Sequence, residues 1–147
     1  MTGSYKFPKL RVLAVDDYIV NQQVIGALLK NLGCEVVDIA TDGSQTLELY
    51  QNNDYHIIFM DIQMPDMNGY EVADIIKQLQ KKEGKNIPIV AITADSSEAD
   101  RQKCLKHMDD YIAKPVMPEK IEKILKKYFS DHIQSFETPS LKSGSNR

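Results

Sequence analysis

The sequence predicts an α/β fold in which a parallel sheet carries helices on both faces. Three observations predict it. Five short apolar runs alternate with five longer stretches of helical period. The connections between them are short and polar, as in repeated βα units. The chain holds 147 residues, 42% hydrophobic and 27% charged with 7 Gly and 6 Pro, which suits one domain with a sizeable core and argues against a disordered or fibrous chain.

The elements follow in order. Residues 1–8 are polar or contain Gly and Pro, and are expected to form an N-terminal arm to a domain over 9–129. An apolar run over 10–15 is the first expected strand. The helix over 19–32 sets Val20, Val24, Ala27 and Leu28 three and four apart on one expected apolar stripe, with Asn31, Leu32 and Gly33 as its stop. Strands over 35–40 and 55–60 alternate with helices over 44–51 and 69–82. Strands over 87–92 and 110–113 alternate with helices over 97–106 and 118–129. In the last helix Ile121, Ile124, Leu125 and Phe129 share a face, Pro118 suits the first turn, and lysines fill the outer side. From Ser130 onward serines, Pro139, Gly144 and scattered charges break any apolar period, so 130–147 is expected to be a flexible tail or linker.

Composition excludes several function classes. With 18 Lys+Arg against 21 Asp+Glu the net charge is −3, which gives no support to direct nucleic-acid binding. Cys34 and Cys104 are far apart and lack metal-ligand spacing, so they read as reduced thiols. No apolar run approaches the roughly 20 residues of a membrane span, and the N-terminus has no secretory h-region, so no membrane span and a cytoplasmic location are expected. A P-loop is excluded by the missing glycine-rich phosphate loop and its lysine.

In an open α/β sheet the working residues gather beyond the carboxyl ends of the strands. Here the first strand leads into Asp16 and Asp17, the third into Asp61, the fourth into Thr93 and the fifth into Lys114 and Pro115. Singly, each Asp is also a common cap or turn residue. Together the three carboxylates repel unless a cation sits among them, which implies a hard divalent ion, magnesium, with room left for a phosphoryl ligand. Lys114 then acts as a point charge for Asp61 and the phosphoryl oxygens, and Thr93 as a hydrogen-bond donor. Pro65 and Gly69 are expected to order the turn after Asp61, with Met64 and Met67 as packing or surface residues.

VLAVDDYIVNQQV at 12–24, LGCEVVDIATDGSQTLE at 32–48, YHIIFMDIQMPDMNGYE at 55–71, IPIVAITA at 87–94 and KCLKHMDDYIAKPV at 103–116 resemble a response regulator receiver domain of the chemotaxis-protein type, above all receivers found with hybrid histidine kinases. The resemblance covers about residues 10–129. It implies the flavodoxin-like (βα)5 receiver fold, a doubly wound parallel sheet with strand order 2-1-3-4-5. It implies Asp61 as phosphoacceptor in a phosphorelay, taking a phosphoryl group from phosphohistidine on a histidine kinase or histidine phosphotransfer protein. Magnesium is then expected on the Asp17 and Asp61 carboxylates and the Gln63 backbone carbonyl, with Asp16 acting largely through a coordinated water. Thr93 and Lys114 are expected to hold the phosphoryl group. Such a domain phosphorylates itself and slowly dephosphorylates, and is no ordinary multiple-turnover enzyme. Tyr111 matches the family's switch aromatic: Thr93 moves toward the phosphoryl group, Tyr111 turns inward, and the surface of the fourth helix, fifth strand and fifth helix changes. A monomer or a weak phosphorylation-dependent dimer is expected, standing alone or as part of a hybrid kinase.

Two positions depart from the family pattern. Tyr18 replaces the usual Asn after the Asp pair, which removes no metal ligand. His107 replaces a Gly at the end of the fourth helix in a segment one residue short; a left-handed non-glycine there costs roughly 1 kcal/mol, so a different helix end is expected. His107 and His56 are isolated and carry no expected catalytic role. Two alternatives stay open: a receiver-fold interaction module that does not cycle phosphate, and an aspartyl-nucleophile hydrolase, which lacks its general acid because Gln63 stands two residues after Asp61.

Overall fold

Strands and helices alternate along the chain in the computed structural model, which describes residues 5–64, 68–94, 97–130 and 134–135. The first half runs β1 (Tyr5–Lys6), β2 (Arg11–Val15), α1 (Ile19–Asn31), β3 (Val36–Ala40), α2 (Gly43–Asn52) and β4 (Ile57–Asp61). The second half runs α3 (Gly69–Glu83), β5 (Ile89–Thr93), α4 (Glu98–His107), β6 (Asp110–Ala113), α5 (Pro118–Tyr128) and β7 (Gln134–Ser135). Five strands pair in parallel in the order β3-β2-β4-β5-β6, which counted among themselves is the expected 2-1-3-4-5. Pro65, Met67, Pro139 and Gly144 lie outside the described residues.

Successive strand residues point to opposite faces, and the central strands are apolar throughout because both faces are covered. Val12, Ala14, Ile57, Phe59, Val90 and Ile92 pack with Ile25 and Leu29 of α1 and Ile121 and Leu125 of α5. Their neighbours Leu13, Val15, Ile58, Met60, Ile89 and Ala91 pack on the other face with Tyr50, Val72, Ile76 and Cys104 from α2, α3 and α4. Helix ends are set locally. Asp42 caps α2 through the Gln45 amide, and Asn68 and Glu71 form a reciprocal capping box on α3. Gly84, at φ 70°, ends α3 in the left-handed conformation.

The structure corrects two expectations and bears out a third, the altered end of the fourth helix. The buried stripe of α1 is Ile25, Gly26 and Leu29, with Leu28 half-buried, whereas Val20 and Val24 are 47% and 42% exposed and Ala27 is exposed too. Two stripes on this helix have the same spacing, and the one facing β3 and α5 is the buried one. In the expected arm, Phe7 is wholly buried and donates its amide to Leu32 O at 2.7 Å, so the packed chain begins before residue 9. The fourth helix ends without a left-handed residue: His107 is helical and Met108 is extended at φ −133° and ψ 177°. The missing glycine therefore causes no backbone strain there. In addition, β1 pairs antiparallel with β7, a contact between the two expected flanks.

Candidate acidic site at the strand ends

Asp61 is the last residue of β4 and Thr93 the last of β5, and the parallel register sets them side by side with Lys114 just after β6. Ladder hydrogen bonds continue one residue beyond the strands. Asp16 N donates to Ala40 O at 3.1 Å, Ile62 N to Ile92 O at 3.2 Å and Lys114 N to Thr93 O at 2.8 Å. The chemistry-bearing residues thus sit on backbone that the sheet itself holds, which gives positions more definite than those of free loops.

Carboxylate oxygens of Asp16, Asp17 and Asp61 lie within 4.8 Å of one another. Asp16 and Asp61 are buried, at 5% and 3% exposure, and Asp17 is exposed. Lys114 Nζ lies 3.5 Å from Asp61 Oδ1, and the Gln63 amide donates to the same oxygen at 3.3 Å. Burial and the Asp16 charge push the Asp61 carboxyl up from 3.8 to about 6, with Lys114 pulling the other way. One ammonium does not balance three carboxylates. Such a crowded set of oxygen ligands fits a hard divalent cation such as magnesium.

Asp61, Ile62, Gln63, Thr93, Ala94, Asp100 and Lys114 line a depression of about 280 Å³. Gly69 packs against the backbone of two of these lining residues. A Cβ there would meet Asp61 O at 2.4 Å and Ile62 Cα at 2.9 Å, so only glycine lets the start of α3 approach the end of β4. Tyr111 is half-buried on β6 and packs against the face that carries α3 and α4. Gln63 is exposed, and Met64 packs against the same core as an ordinary apolar side chain.

Sequence reasoning missed Asn21, Gln22 and Asp100. Tyr18 gives α1 no side-chain cap. Instead Asp16 Oδ1 accepts from the Tyr18 amide at 3.0 Å and from Asn21 Nδ2 at 3.4 Å, and Gln22 Nε2 donates to Asp16 O at 2.7 Å. Two polar residues in a helix's first turn read as solvent-facing until the strand-to-helix bend is known. Asp100 carried a weak signal, since Ser97 three residues earlier has N-cap spacing. The apolar residues Ile19, Val20 and Val24 flank the acidic group and are exposed.

Comparison with known proteins agrees with the geometry. The response regulator receiver domain family matches residues 12–126. Hybrid signal transduction histidine kinase I of Dictyostelium discoideum is 34% identical over 146 residues, covering 95% of this chain and 8% of that protein. Signal transduction histidine-protein kinase BarA of Escherichia coli (strain K12) is 36% identical over 120 residues, covering 81% of this chain and 13% of that one. The chain thus spans a small fraction of these relatives' lengths. Among solved structures, a chain of the co-crystal of Saccharomyces cerevisiae histidine phosphotransfer signaling protein Ypd1 with the receiver domain of Ssk1 matches with TM-score 0.77 and 31% identity, covering 83% of this chain and 90% of that one. The receiver domain of sensor histidine kinase PA1611 from Pseudomonas aeruginosa PAO1, whose structure has magnesium coordinated in the active-site cleft, matches with TM-score 0.74 and 34% identity over 83% of this chain and 98% of that one. Among the described residues no helix is long and apolar enough to cross a membrane. On its sheet order, its strand-end acidic group and these matches, the chain belongs to the response regulator receiver domain family.

Proposed function

We propose that Asp61 accepts a phosphoryl group from a phosphohistidine in a magnesium-dependent reaction, on a histidine kinase or histidine phosphotransfer partner. The observation that carries this reading is the buried Asp61 carboxylate with Lys114 Nζ at 3.5 Å and two further carboxylates within 4.8 Å. A carboxylate oxygen of Asp61 forms the new bond to phosphorus while the phosphorus to imidazole nitrogen bond breaks, and the imidazole leaves with the bonding pair. Asp16, Asp17, Asp61 and the Gln63 backbone carbonyl would hold magnesium, which when bound supplies charge neutralisation for the transferring oxygens. Lys114 offsets negative charge beside Asp61. Thr93, lining the same depression, donates to a phosphoryl oxygen once the group is in place. Tyr111 then turns inward and alters the face formed by α4, β6 and α5.

The partner's footprint has support beside the acidic group. Ile19, Val20, Val24 and Met117 are exposed there, around a cleft of about 400 Å³ whose lining joins the apolar Val15, Val24, Ile25, Ile92, Pro115 and Val116 to Asp16, Asn21 and Lys114. An apolar helical surface presenting a phosphohistidine fits such a cleft, and a related receiver domain, that of Ssk1, has been co-crystallised with the histidine phosphotransfer protein Ypd1.

The test is incubation with magnesium and acetyl phosphate, followed by intact mass, with Asp61→Asn alongside. A gain of one phosphoryl group that the variant lacks supports the reading. No gain from the small donor or from a phosphorylated phosphotransfer protein would leave an interaction module, and sustained turnover of an external phosphoester would favour a hydrolase.

A further inference from the structure

Asp100 is the third residue of α4 and lines the depression that holds Asp61, Thr93 and Lys114. Its half-buried carboxylate gathers three donors. Thr93 Oγ1 lies at 3.0 Å, Tyr70 OH at 3.4 Å and Cys104 Sγ at 3.8 Å. Burial raises the Tyr70 phenol and the Cys104 thiol, so both keep their protons at neutral pH. A carboxylate is a stronger acceptor than a neutral oxygen, which makes the shortest of these contacts a restraint on the Thr93 side chain.

We propose that Asp100 is a positioning residue that holds the Thr93 hydroxyl in the unphosphorylated protein, and that Thr93 leaves Asp100 when Asp61 is phosphorylated; this rests on the reading of Asp61 given above. The proton that Thr93 donates to Asp100 is not available to a phosphoryl oxygen. Two anions therefore compete for one hydroxyl, and the negative Asp100 carboxylate also opposes a negative phosphoryl group in the same depression. Asp100 also accepts from Tyr70 and Cys104, so a shift of its carboxylate on losing Thr93 would be felt on α3 and α4. The Tyr70 ring lies beneath Lys103 Nζ at 4.7 Å and against His107 at 5.0 Å, and His107 Nδ1 is 3.0 Å from Asp74 on α3. The switch thereby reaches the seam between α3 and α4 in addition to the Tyr111 side.

A bland role exists for the same residue. The Asp100 amide donates to Ser97 Oγ at 3.1 Å, and an acid in the first turn of a helix suits its dipole. A helix-end role alone would not restrain Thr93. The experiment compares the parent chain with Asp100→Asn, which keeps an acceptor without the charge, and Asp100→Ala, which removes both. The Thr93 rotamer is read from three-bond couplings to its methyl carbon in the unphosphorylated chain, and phosphorylation by acetyl phosphate from intact mass over time. The parent is expected to show one rotamer and Asp100→Ala an average of two. Loss of a hydrogen bond to a charged group is worth about tenfold in an equilibrium, so Asp100→Ala should phosphorylate about tenfold faster, with Asp100→Asn between. In a Thr93→Val background Asp100→Ala should be no faster than Asp100→Asn, because only the lost charge then separates either from the parent. One unchanged rotamer in both Asp100 variants, or an alanine variant still faster than the asparagine variant in Thr93→Val, would overturn the proposal. Asp100→Asn serves if the alanine variant does not fold. Because the rotamer is measured without phosphate, a parent that never phosphorylates refutes the reading of Asp61 and leaves the Thr93 restraint separately decided.

Discussion

Replacing Gly69 with alanine asks whether backbone contact sets the position of the nucleophile. The added Cβ would sit 2.4 Å from Asp61 O, where ordinary contact begins near 3.4 Å, so α3 and the end of β4 must part by 1 Å. Neither contacting atom can rotate aside, and the Gly69 amide already donates to Ile62 O at 2.7 Å. Overpacking costs typically about 1 to 3 kcal/mol, and backbone against backbone puts this substitution at the upper end. With a urea slope of about 2 kcal/mol/M, the unfolding midpoint should fall by about 1 to 1.5 M. A misplacement of about 1 Å can cost about a hundredfold in rate, so the folded variant should accept phosphoryl from acetyl phosphate about a hundredfold more slowly. Two other glycines calibrate the result. Gly26, inside α1 with its nearest neighbour Ile39 Cδ1 at 4.0 Å, has room for a methyl, and Gly26→Ala should gain up to about 1 kcal/mol. Gly84 has open space but φ +70°, so Gly84→Ala should cost roughly 1 kcal/mol and leave the acceptor rate alone. A Gly69→Ala protein with the parent's midpoint and the parent's rate would show that this backbone contact does not set the position of Asp61.

Three further outcomes are expected. Burial and Asp16 raise the folded Asp61 pKa from 3.8 to about 6; its stabilising contribution is full below pH 4 and lost as pH rises through 6, so in EDTA at pH 7.5 Asp61→Asn should be the more stable protein. That gain is at most about 3 kcal/mol and should shrink toward pH 4 and in magnesium; urea curves showing equal stability at both pH values would contradict it. Lys114→Met removes the ammonium 3.5 Å from Asp61 and should slow phosphorylation about a hundredfold with little change in melting, an outcome that fails if the mass assay gives the parent rate. Asn68→Ala deletes the α3 capping box and should cost about 1 kcal/mol by thermal denaturation, and an unchanged melting temperature would show that the cap contributes nothing.

The site was legible because each of its members ends an apolar run or follows one immediately. Asp16, Asp61, Thr93 and Lys114 can be placed at strand ends from the run lengths alone, and the parallel sheet then brings them together. The buried face of α1 was not legible in the same way. Val20 and Val24 have the spacing of Ile25 and Leu29 to within one residue, and only packing against β3 and α5 separates them. The end of α4 depended on a backbone choice at Met108 that side-chain identity does not dictate. Asp100 lies seven residues from Thr93, but its carboxylate meets the hydroxyl only because α4 folds back over the end of β5. Phe7 was hidden in a polar stretch, where one aromatic makes no period, and it is the core below α1 that takes it up.

The pairing of β1 with β7 bears on where the two flanks of the domain lie. Paired antiparallel strands stand about 5 Å apart, so polypeptide arriving through Tyr5–Lys6 and polypeptide departing through Gln134–Ser135 run alongside each other in opposite directions. Lys6 packs at Gly33 and the Phe7 amide bonds to Leu32, which puts this junction at the end of the sheet where β2 and β3 begin. Asp61 is at the end where the strands finish. The pairing holds the two flanks at the opposite end of the sheet from Asp61, and so leaves uncovered the strand ends that carry the acidic group.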